Sequence, residues 1–335
     1  MSMLRVIVLS LLFTAVSASA AAAPRVVADI TPVHSLVAQV MGDIGQPALI
    51  IQRGASPHSY ALRPSEAAAL EQADVVFWIG EELTPWLDRA LDNLAPEATR
   101  VALLHTPGTV EYAFRERVLN EGDEHHDDHG HDHHDHDHDH HDHHDDHDDH
   151  GHDAHAGHDH AHDGVDPHAW LDPANARHWL GVIAETLSQQ DPANADQYQA
   201  NAAAAQAAID ALINDTRQAL APVRDVPFIV FHDAYQYLER RFDLNTVGAI
   251  ALSDARDPSP AHIAEIRALV AEHEARCVFA EPQFNAALVE TVLDGTDARM
   301  GVIDPMGSDI ATGPDFYADW MLALRKSLLD CLGSS

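Results

Sequence analysis

Positive charge is scarce in this chain: 19 lysines and arginines face 54 aspartates and glutamates, for a formal net charge of −35 over 335 residues. Part of the excess is local, because 18 of the acids fall within residues 121–166, where there is no Lys or Arg; the other 36 acids against 19 bases still leave −17. A surface of that sign repels phosphate backbones and anionic headgroups, which argues against nucleic-acid and membrane partners and suits a cationic ligand. Long apolar runs are missing after Val16, so no later stretch reaches the roughly 20 residues of a membrane-spanning helix. Catalytic signatures are missing as well. There is no His-Glu-x-x-His and no Gly-x-Ser-x-Gly, the local patterns of zinc peptidases and of nucleophile elbows.

Only two cysteines occur, Cys277 and Cys331, and the start of the chain decides how to read them. Met1-Ser2-Met3-Leu4-Arg5 leads into an apolar run from Val6 to Val16 and then into small residues through Ala18-Ser19-Ala20-Ala21-Ala22. This is the pattern of a secretory signal peptide, with an apolar core too short to span a bilayer. Residues 1–23 are therefore expected to be removed on export. With no cysteine near the cleavage region, the mature chain is expected free in the periplasm, as a monomer, rather than lipid-anchored. In an exported protein an even pair of cysteines reads first as a disulfide, Cys277–Cys331, with two independent buried thiols as the alternative.

What remains is long enough for two domains of ordinary size. Short apolar segments at 25–30, 48–51, 75–79 and 101–104, and again at 226–231, 245–250, 277–280 and 299–303, alternate with helical stretches. That alternation predicts an α/β fold of two lobes, each a mostly parallel sheet with flanking helices. The N-terminal lobe is expected over 24–190, a linker helix over 191–222 and the C-terminal lobe over 223–335. Residues 193–221, rich in Ala, Gln and Asp and nearly free of Gly and Pro, predict one rigid helix of ~43 Å that acts as a strut between lobes rather than a core helix. Ser65 is expected to cap the helix after the second strand, and an amphipathic helix is expected over 316–332. Ligands of such sheets sit beyond the carboxyl ends of the strands, here in the cleft between the lobes.

Histidine is what the chain has in excess. Nineteen of the 27 alternate with aspartate in one tract: His125, His126, His129, His131, His133, His134, His136, His138, His140, His141, His143, His144, His147, His150, His152, His155, His158, His160 and His162. After Val118 and Leu119 the tract has no Leu, Ile, Val, Met or aromatic residue. It cannot bury enough apolar surface to offset the entropy of ordering, so 121–163 is expected to be a disordered loop inserted in the N-terminal lobe. Imidazoles with carboxylates beside them offer many overlapping weak sites for Zn, Cu, Ni or Co. A purification tag is the plain alternative, but a tag sits at a terminus and is pure polyhistidine.

A sharper site is expected from His58, His168 and His232, each beside Pro or Asp at an apparent strand end or loop, with Asp304 in the equivalent place after a late strand. Three neutral imidazoles and a carboxylate make a four-coordinate set that suits Zn²⁺. Ligands scattered from 58 to 304 have no local spacing pattern, however, and for any one histidine a structural role is an equal reading. His34 reads as a surface or capping residue, with a cleft-lining role as the alternative; His105, His178, His262 and His273 read as structural or solvated.

The segments around these residues resemble a known family. Gly54-Ala55-Ser56-Pro57-His58-Ser59-Tyr60-Ala61-Leu62-Arg63-Pro64-Ser65 is followed by Ala73-Asp74-Val75-Val76-Phe77-Trp78-Ile79-Gly80 and by Asp166-Pro167-His168-Ala169-Trp170-Leu171-Asp172-Pro173. Later come Phe231-His232-Asp233-Ala234-Tyr235, Phe279-Ala280-Glu281-Pro282-Gln283-Phe284 and Asp304-Pro305-Met306-Gly307. Together they are similar to the periplasmic metal-binding proteins of ABC importers and, with the histidine tract and two cysteines, to the zinc-uptake branch of that family, across essentially the whole mature chain. The resemblance implies that His58 and His168 from one lobe and His232 from the other ligate Zn²⁺. It also implies an ABC-transporter permease as partner and no catalysis. Manganese-binding relatives carry Glu at the position of His232, so His here points to zinc. Asp304 is a ligand in some members; in others it stands behind the ligands or water replaces it. Pro57 stands where some zinc-binding members carry an acidic residue. Glu281 is either a residue behind the ligands or a cap of the following turn.

Two other functions stay open. One is an exported zinc hydrolase, whose metal would keep a position open for water and for which Asp233 is the one carboxylate adjoining a proposed ligand. The other is a metal buffer, in which the histidine tract is the purpose and the lobes are a scaffold. A closed site separates the transport receptor from the enzyme, which needs a substrate-sized pocket.

Overall fold

The structure is a computed structural model that describes residues 22–115, 164–251 and 258–333. The expected signal core and the histidine tract of 121–163 lie outside the described residues. In chain order the first half carries β1 (Val26–Ala28), α1 (Thr31–Met41), β2 (Ala48–Leu49), α2 (Pro64–Glu71), β3 (Val75–Trp78), α3 (Pro85–Leu94) and β4 (Thr99–Ala102), then α4 (Pro173–Gln190) and α5 (Ala195–Leu220). The second half carries β5 (Phe228–His232), α6 (Gln236–Phe242), β6 (Thr246–Ala251), α7 (Pro260–Glu272), β7 (Cys277–Ala280), α8 (Ala287–Leu293), β8 (Arg299–Val302) and α9 (Phe316–Leu332). Each half builds a four-stranded sheet, in the orders β2-β1-β3-β4 and β6-β5-β7-β8, with every strand pair parallel. The two-lobed α/β expectation holds.

The strands that lead the site are apolar at successive positions, not alternate ones. Val26-Val27-Ala28, Val75-Val76-Phe77-Trp78 and Phe228-Ile229-Val230-Phe231-His232 are buried throughout, as strands covered on both faces must be. Proline opens the helices in the first turn, where no backbone donor is lost: Pro32 in α1, Pro64 in α2, Pro85 in α3, Pro173 in α4 and Pro260 in α7. Asp172 caps α4 by accepting from Ala174 N at 2.8 Å. Ser65 does not cap α2 as expected. Pro64 takes the first helical position and makes Arg63 the cap residue, and the Glu66 carboxylate accepts from Arg63 N at 2.8 Å.

The long helix is present but is no free strut. Its 26 residues span ~39 Å at 1.5 Å each. Tyr198, Ala202, Ala205, Ile209, Thr216 and Leu220 are buried, at intervals of three, four and seven residues that place them on one stripe. The helix packs on α1 and α4 of the first half and on α6 and α9 of the second, and small alanines on the stripe allow close approach. α9 also returns to the first lobe. Tyr317 N donates to Ser35 Oγ at 3.1 Å, Tyr317 Oη to Trp170 O at 2.9 Å, and Ser35 Oγ to Pro314 O at 3.0 Å. One apolar core therefore runs through both lobes, and a second, under α7 and α8, fills the far face of the second sheet. The Cys277–Cys331 disulfide joins β7 to α9 across a sequence separation of 54, a closure worth about 4 kcal/mol in the chain-entropy account.

One buried group gives the fold a pH dependence. Asp29, at the end of β1, is fully buried and accepts from Ile30 N at 2.7 Å and Ile79 N at 2.8 Å. Burial outweighs these bonds and pushes its carboxyl up to about 7. Since that is above the ordinary aspartate value of 3.8, the proton favours the folded state, and this stabilisation is full below about pH 4 and lost as pH rises through about 7. Asp29→Asn should therefore raise the melting temperature relative to wild type more at pH 8 than at pH 5. Equal shifts at the two values would show that Asp29 does not titrate in this range.

Candidate metal centre

Three pieces of chain meet at the seam between the lobes. His58 lies in the loop between β2 and α2, His168 directly precedes the short 3-10 turn Ala169–Leu171, and His232 is the last residue of β5. One ring nitrogen from each lies within 4.8 Å of the other two. His58 Nε2 and His168 Nε2 are 3.3 Å apart. His168 and His232 are buried and His58 is half-buried.

Two of the rings are aimed by carboxylates. Asp166 Oδ1 lies 2.7 Å from His168 Nδ1 and also accepts from His168 N at 3.0 Å. Glu281 Oε1 lies 2.8 Å from His232 Nδ1 and accepts from His232 N at 3.3 Å. A carboxylate only accepts, so each Nδ1 carries the proton and each Nε2 presents its lone pair to the cavity. This is the usual arrangement behind a metal-ligating imidazole: the carboxylate fixes the tautomer and the ring angle and raises the basicity of the ligating nitrogen. Apolar rings close the back of the site. Trp170 stands 5.2 Å from the His168 ring, and Phe284 stands 5.5 Å from that of His232. Trp86 Nε1 pins the loop of His58 by donating to Pro57 O at 2.9 Å.

The space between these groups is about 10 Å³, lined by the three histidines with Ser56, Pro57, Trp170, Glu281, Gln283, Phe284, Pro305 and Met306. That is room for roughly one water-sized sphere. It suits a single ion between the three ring nitrogens.

Asp304 is not brought to the three imidazoles. Its Oδ1 accepts from Gln283 Nε2 at 2.8 Å and Met306 N at 2.9 Å, and its Oδ2 from Ser308 N at 2.6 Å. The turn after β8 folds back on its own aspartate, and the backbone donors take the oxygens expected at a metal. Asp233, beside His232, is held by Arg115, whose Nε donates to Asp233 Oδ2 at 3.2 Å and whose Nη1 donates to Glu239 Oε2 at 2.7 Å. Burial weakens the Arg115 charge, but Glu239 and Asp233 outweigh it and raise the guanidinium value. Asp233 is thus engaged by Arg115 and is not among the residues that line the space between the three histidines. His34 lies 3.1 Å from Pro47 O with its value lowered by burial, His105 pairs with Glu82 at 2.7 Å, His178 packs against Gly108, His262 lies 3.2 Å from Ala249 O, and His273 caps the end of α7. None of these five belongs to the cluster. The nineteen tract histidines lie outside the described residues. Asp166 and Arg115 are the residues that sequence reasoning passed over. For Asp166 the spacing was there to read, since an aspartate two residues before a histidine can reach back to its ring.

Comparison with known proteins gives the family of the chain. Residues 26–331 match the profile of the family described as "ZnuA: Zinc-uptake complex component A periplasmic". The high-affinity zinc uptake system protein ZnuA of Paracoccus denitrificans is 44% identical over 322 residues, which covers 96% of this chain and 95% of that one. Its counterpart from Brucella abortus strain 2308 is 46% identical over 308 residues, 92% of this chain and 91% of the relative. The chain belongs to the ZnuA family. A crystal structure of ZnuA superposes with a TM-score of 0.69 at 22% identity, covering 93% of this chain and 99% of that one, and so shares the fold.

In this ZnuA-family chain the two carboxylates behind the rings should matter nearly as much as the rings. Asp166→Ala and Glu281→Ala should each weaken tight binding of Zn²⁺ or Co²⁺ by about 10–100-fold while far-ultraviolet circular dichroism stays that of wild type. Chelator-competition titration reads the affinity, and wild-type affinity in both variants would mean that the rings do not need these partners.

Proposed function

We propose that the chain is a periplasmic receptor that captures Zn²⁺ and hands it to the membrane permease of an ABC importer, without catalysis. In this reading residues 1–23 are removed on export and the mature chain acts as a monomer, with lobes at 24–190 and 223–335 joined by 191–222. His58, His168 and His232 are the zinc ligands. Asp304 shapes the wall of the site rather than filling its fourth position. The observation that carries the proposal is the convergence of three ring nitrogens within 4.8 Å around a space of about 10 Å³. Three neutral imidazoles suit zinc, and the relatives from Paracoccus and Brucella are high-affinity zinc uptake proteins by name. The one candidate base of the hydrolase reading is tied to Arg115. A pure buffer has no need of a buried cluster.

Two experiments follow. Calorimetric zinc titration of His232→Ala should show the tight site weakened by about tenfold or more, and the wild type should prefer Zn²⁺ over Mn²⁺ by several orders of magnitude. Comparable affinities for the two metals in the wild type would sink the zinc assignment. The second test concerns the histidine tract, which we propose gathers zinc on weak tethered sites and raises its local concentration at the tight one. With reference values near about 6.5, its histidines should release zinc as pH falls through about 6. Deletion of 121–163 should remove the extra weak equivalents and slow loading from scarce zinc, with little change in the tight-site Kd. Loss of the tight site itself would assign a primary ligand to the tract.

A further inference from the structure

The helix that follows His232 makes an unusual set of contacts. α6 is only seven residues long, yet almost every polar side chain on it reaches across to the N-terminal lobe. Gln236 Nε2 donates to Ala113 O at 3.1 Å and to Asp166 Oδ2 at 3.4 Å. Tyr237 Oη donates to Asp166 O at 2.7 Å and accepts from Tyr112 N at 3.1 Å. Glu239 and the neighbouring Asp233 share Arg115, Arg240 lies over the Tyr112 ring at 4.3 Å, and Arg241 grips Asp172 through two bonds of 2.7 and 2.6 Å.

All of these partners fall on two short pieces of chain, 112–115 and 166–172. The pieces are themselves paired: Ala113 bridges Val165, Phe114 N donates to Gly164 O at 3.2 Å, and Asp166 N donates to Tyr112 O at 2.8 Å. His168 sits on the second piece, and Asp166, which aims it, is held by α6. His232 sits four residues before α6, and Asp233 next to it is held by Arg115. The same helix thus touches Asp166, which aims His168 in one lobe, and shares Arg115 with Asp233, the residue next to His232 in the other.

Charge makes Arg115 the centre of this arrangement. Among the described residues it is the cation paired with both of two largely buried carboxylates, whose side-chain exposures are 11% for Asp233 and 7% for Glu239. Without it, two like charges would face each other in a poorly solvated seam and repel. Both carboxylates belong to the second half of the chain and Arg115 to the first, so losing the cation would also remove an ionic tie between the lobes beside His232.

We propose that α6 is a latch between the lobes, with Arg115 and Arg241 as positioning residues that hold the two halves of the metal site at ligating distance and so set how long the ion is retained. This rests on the zinc-receptor reading of the site. The latch touches no metal; it acts on release more than on capture, because a ligand set that has lost its brace still meets the ion but separates from it sooner.

The test uses the full chain loaded with one equivalent of Zn²⁺ and stopped-flow release into a large excess of chelator, so that nothing rebinds. Arg115→Met should speed release from the tight site by about tenfold or more, with a smaller change in association rate. Arg115→Lys, which keeps the charge but loses the paired bonds, should fall between. Arg241→Met is the second variant, and speaks if Arg115→Met does not fold. Arg25→Met, which breaks the exposed Arg25–Asp74 pair at the amino ends of β1 and β3, should leave release unchanged. With Co²⁺ in place of zinc, the visible absorption of the latch variants should stay that of wild type, since the ligands are the same. Release within about twofold of wild type in both the Arg115→Met and Arg241→Met variants would overturn the latch, as would a changed Co²⁺ spectrum, which would place these residues in shaping the ligand shell. The reading beneath it fails differently, through a wild-type chain that holds zinc no more tightly than its His232→Ala variant.

Discussion

Everything at the site depends on one kind of contact, a buried carboxylate against the Nδ1 of a histidine. An imidazole in a protein interior has two nitrogens and no intrinsic reason to point either at a metal. Asp166 on His168 and Glu281 on His232 remove that freedom by taking the proton-bearing nitrogen, and the other nitrogen then faces the cavity with its lone pair. Burying two carboxylates is costly unless each finds donors. The fold supplies them: backbone N–H of the same histidines in both cases, and Gln236 for Asp166. The parallel sheets then do the rest by placing the end of β5 opposite the loops of the first lobe.

The same packing restricts how such a site opens. The lobes share an apolar core, α5 and α9 each touch both, and Trp170 of one lobe donates to Pro305 of the other at 3.0 Å. A hinge that swings wide would expose that core, so the packing favours small relative movements, or rearrangement of loops such as the one that carries His58, the most exposed of the three histidines. A cavity of atomic size follows from this closeness.

Much of the fold was legible in the sequence because strand and helix alternate with clear apolar runs: the limits of β7 and α9 fell where the residues put them. The interior of a contact was less legible. Residues 193–221 read as a strut because the run is long, rich in Ala, Gln and Asp and nearly free of Gly and Pro, yet a stripe of Tyr, Ala and Ile at heptad-like intervals is enough to lay that helix on its neighbours. Ser65 looked like a cap by residue type, but Pro64 before it claimed the first helical position. His58, His168 and His232 were marked by Pro or Asp at strand ends and loops, but nothing local links positions in three distant segments, and motif resemblance was needed to group them. Asp304 looked like a fourth ligand by its place after β8, and what no sequence pattern reveals is that two backbone donors in the following turn, with the side chain of Gln283, engage its oxygens. Arg115 was invisible for the opposite reason: it borders a tract with no foldable pattern, and its partners are more than a hundred residues away.

The central claim is that one tight ion is held by three imidazoles from two lobes and by no carboxylate of Asp304. X-ray absorption at the zinc edge, on the chain lacking 121–163 and loaded with one equivalent, tests it most directly. The account predicts a first shell at ~2.0–2.1 Å with the multiple-scattering pattern of three imidazoles, unchanged in Asp304→Ala and reduced to two in His232→Ala. A shell dominated by oxygen, or an imidazole count that does not respond to His232→Ala, would contradict it.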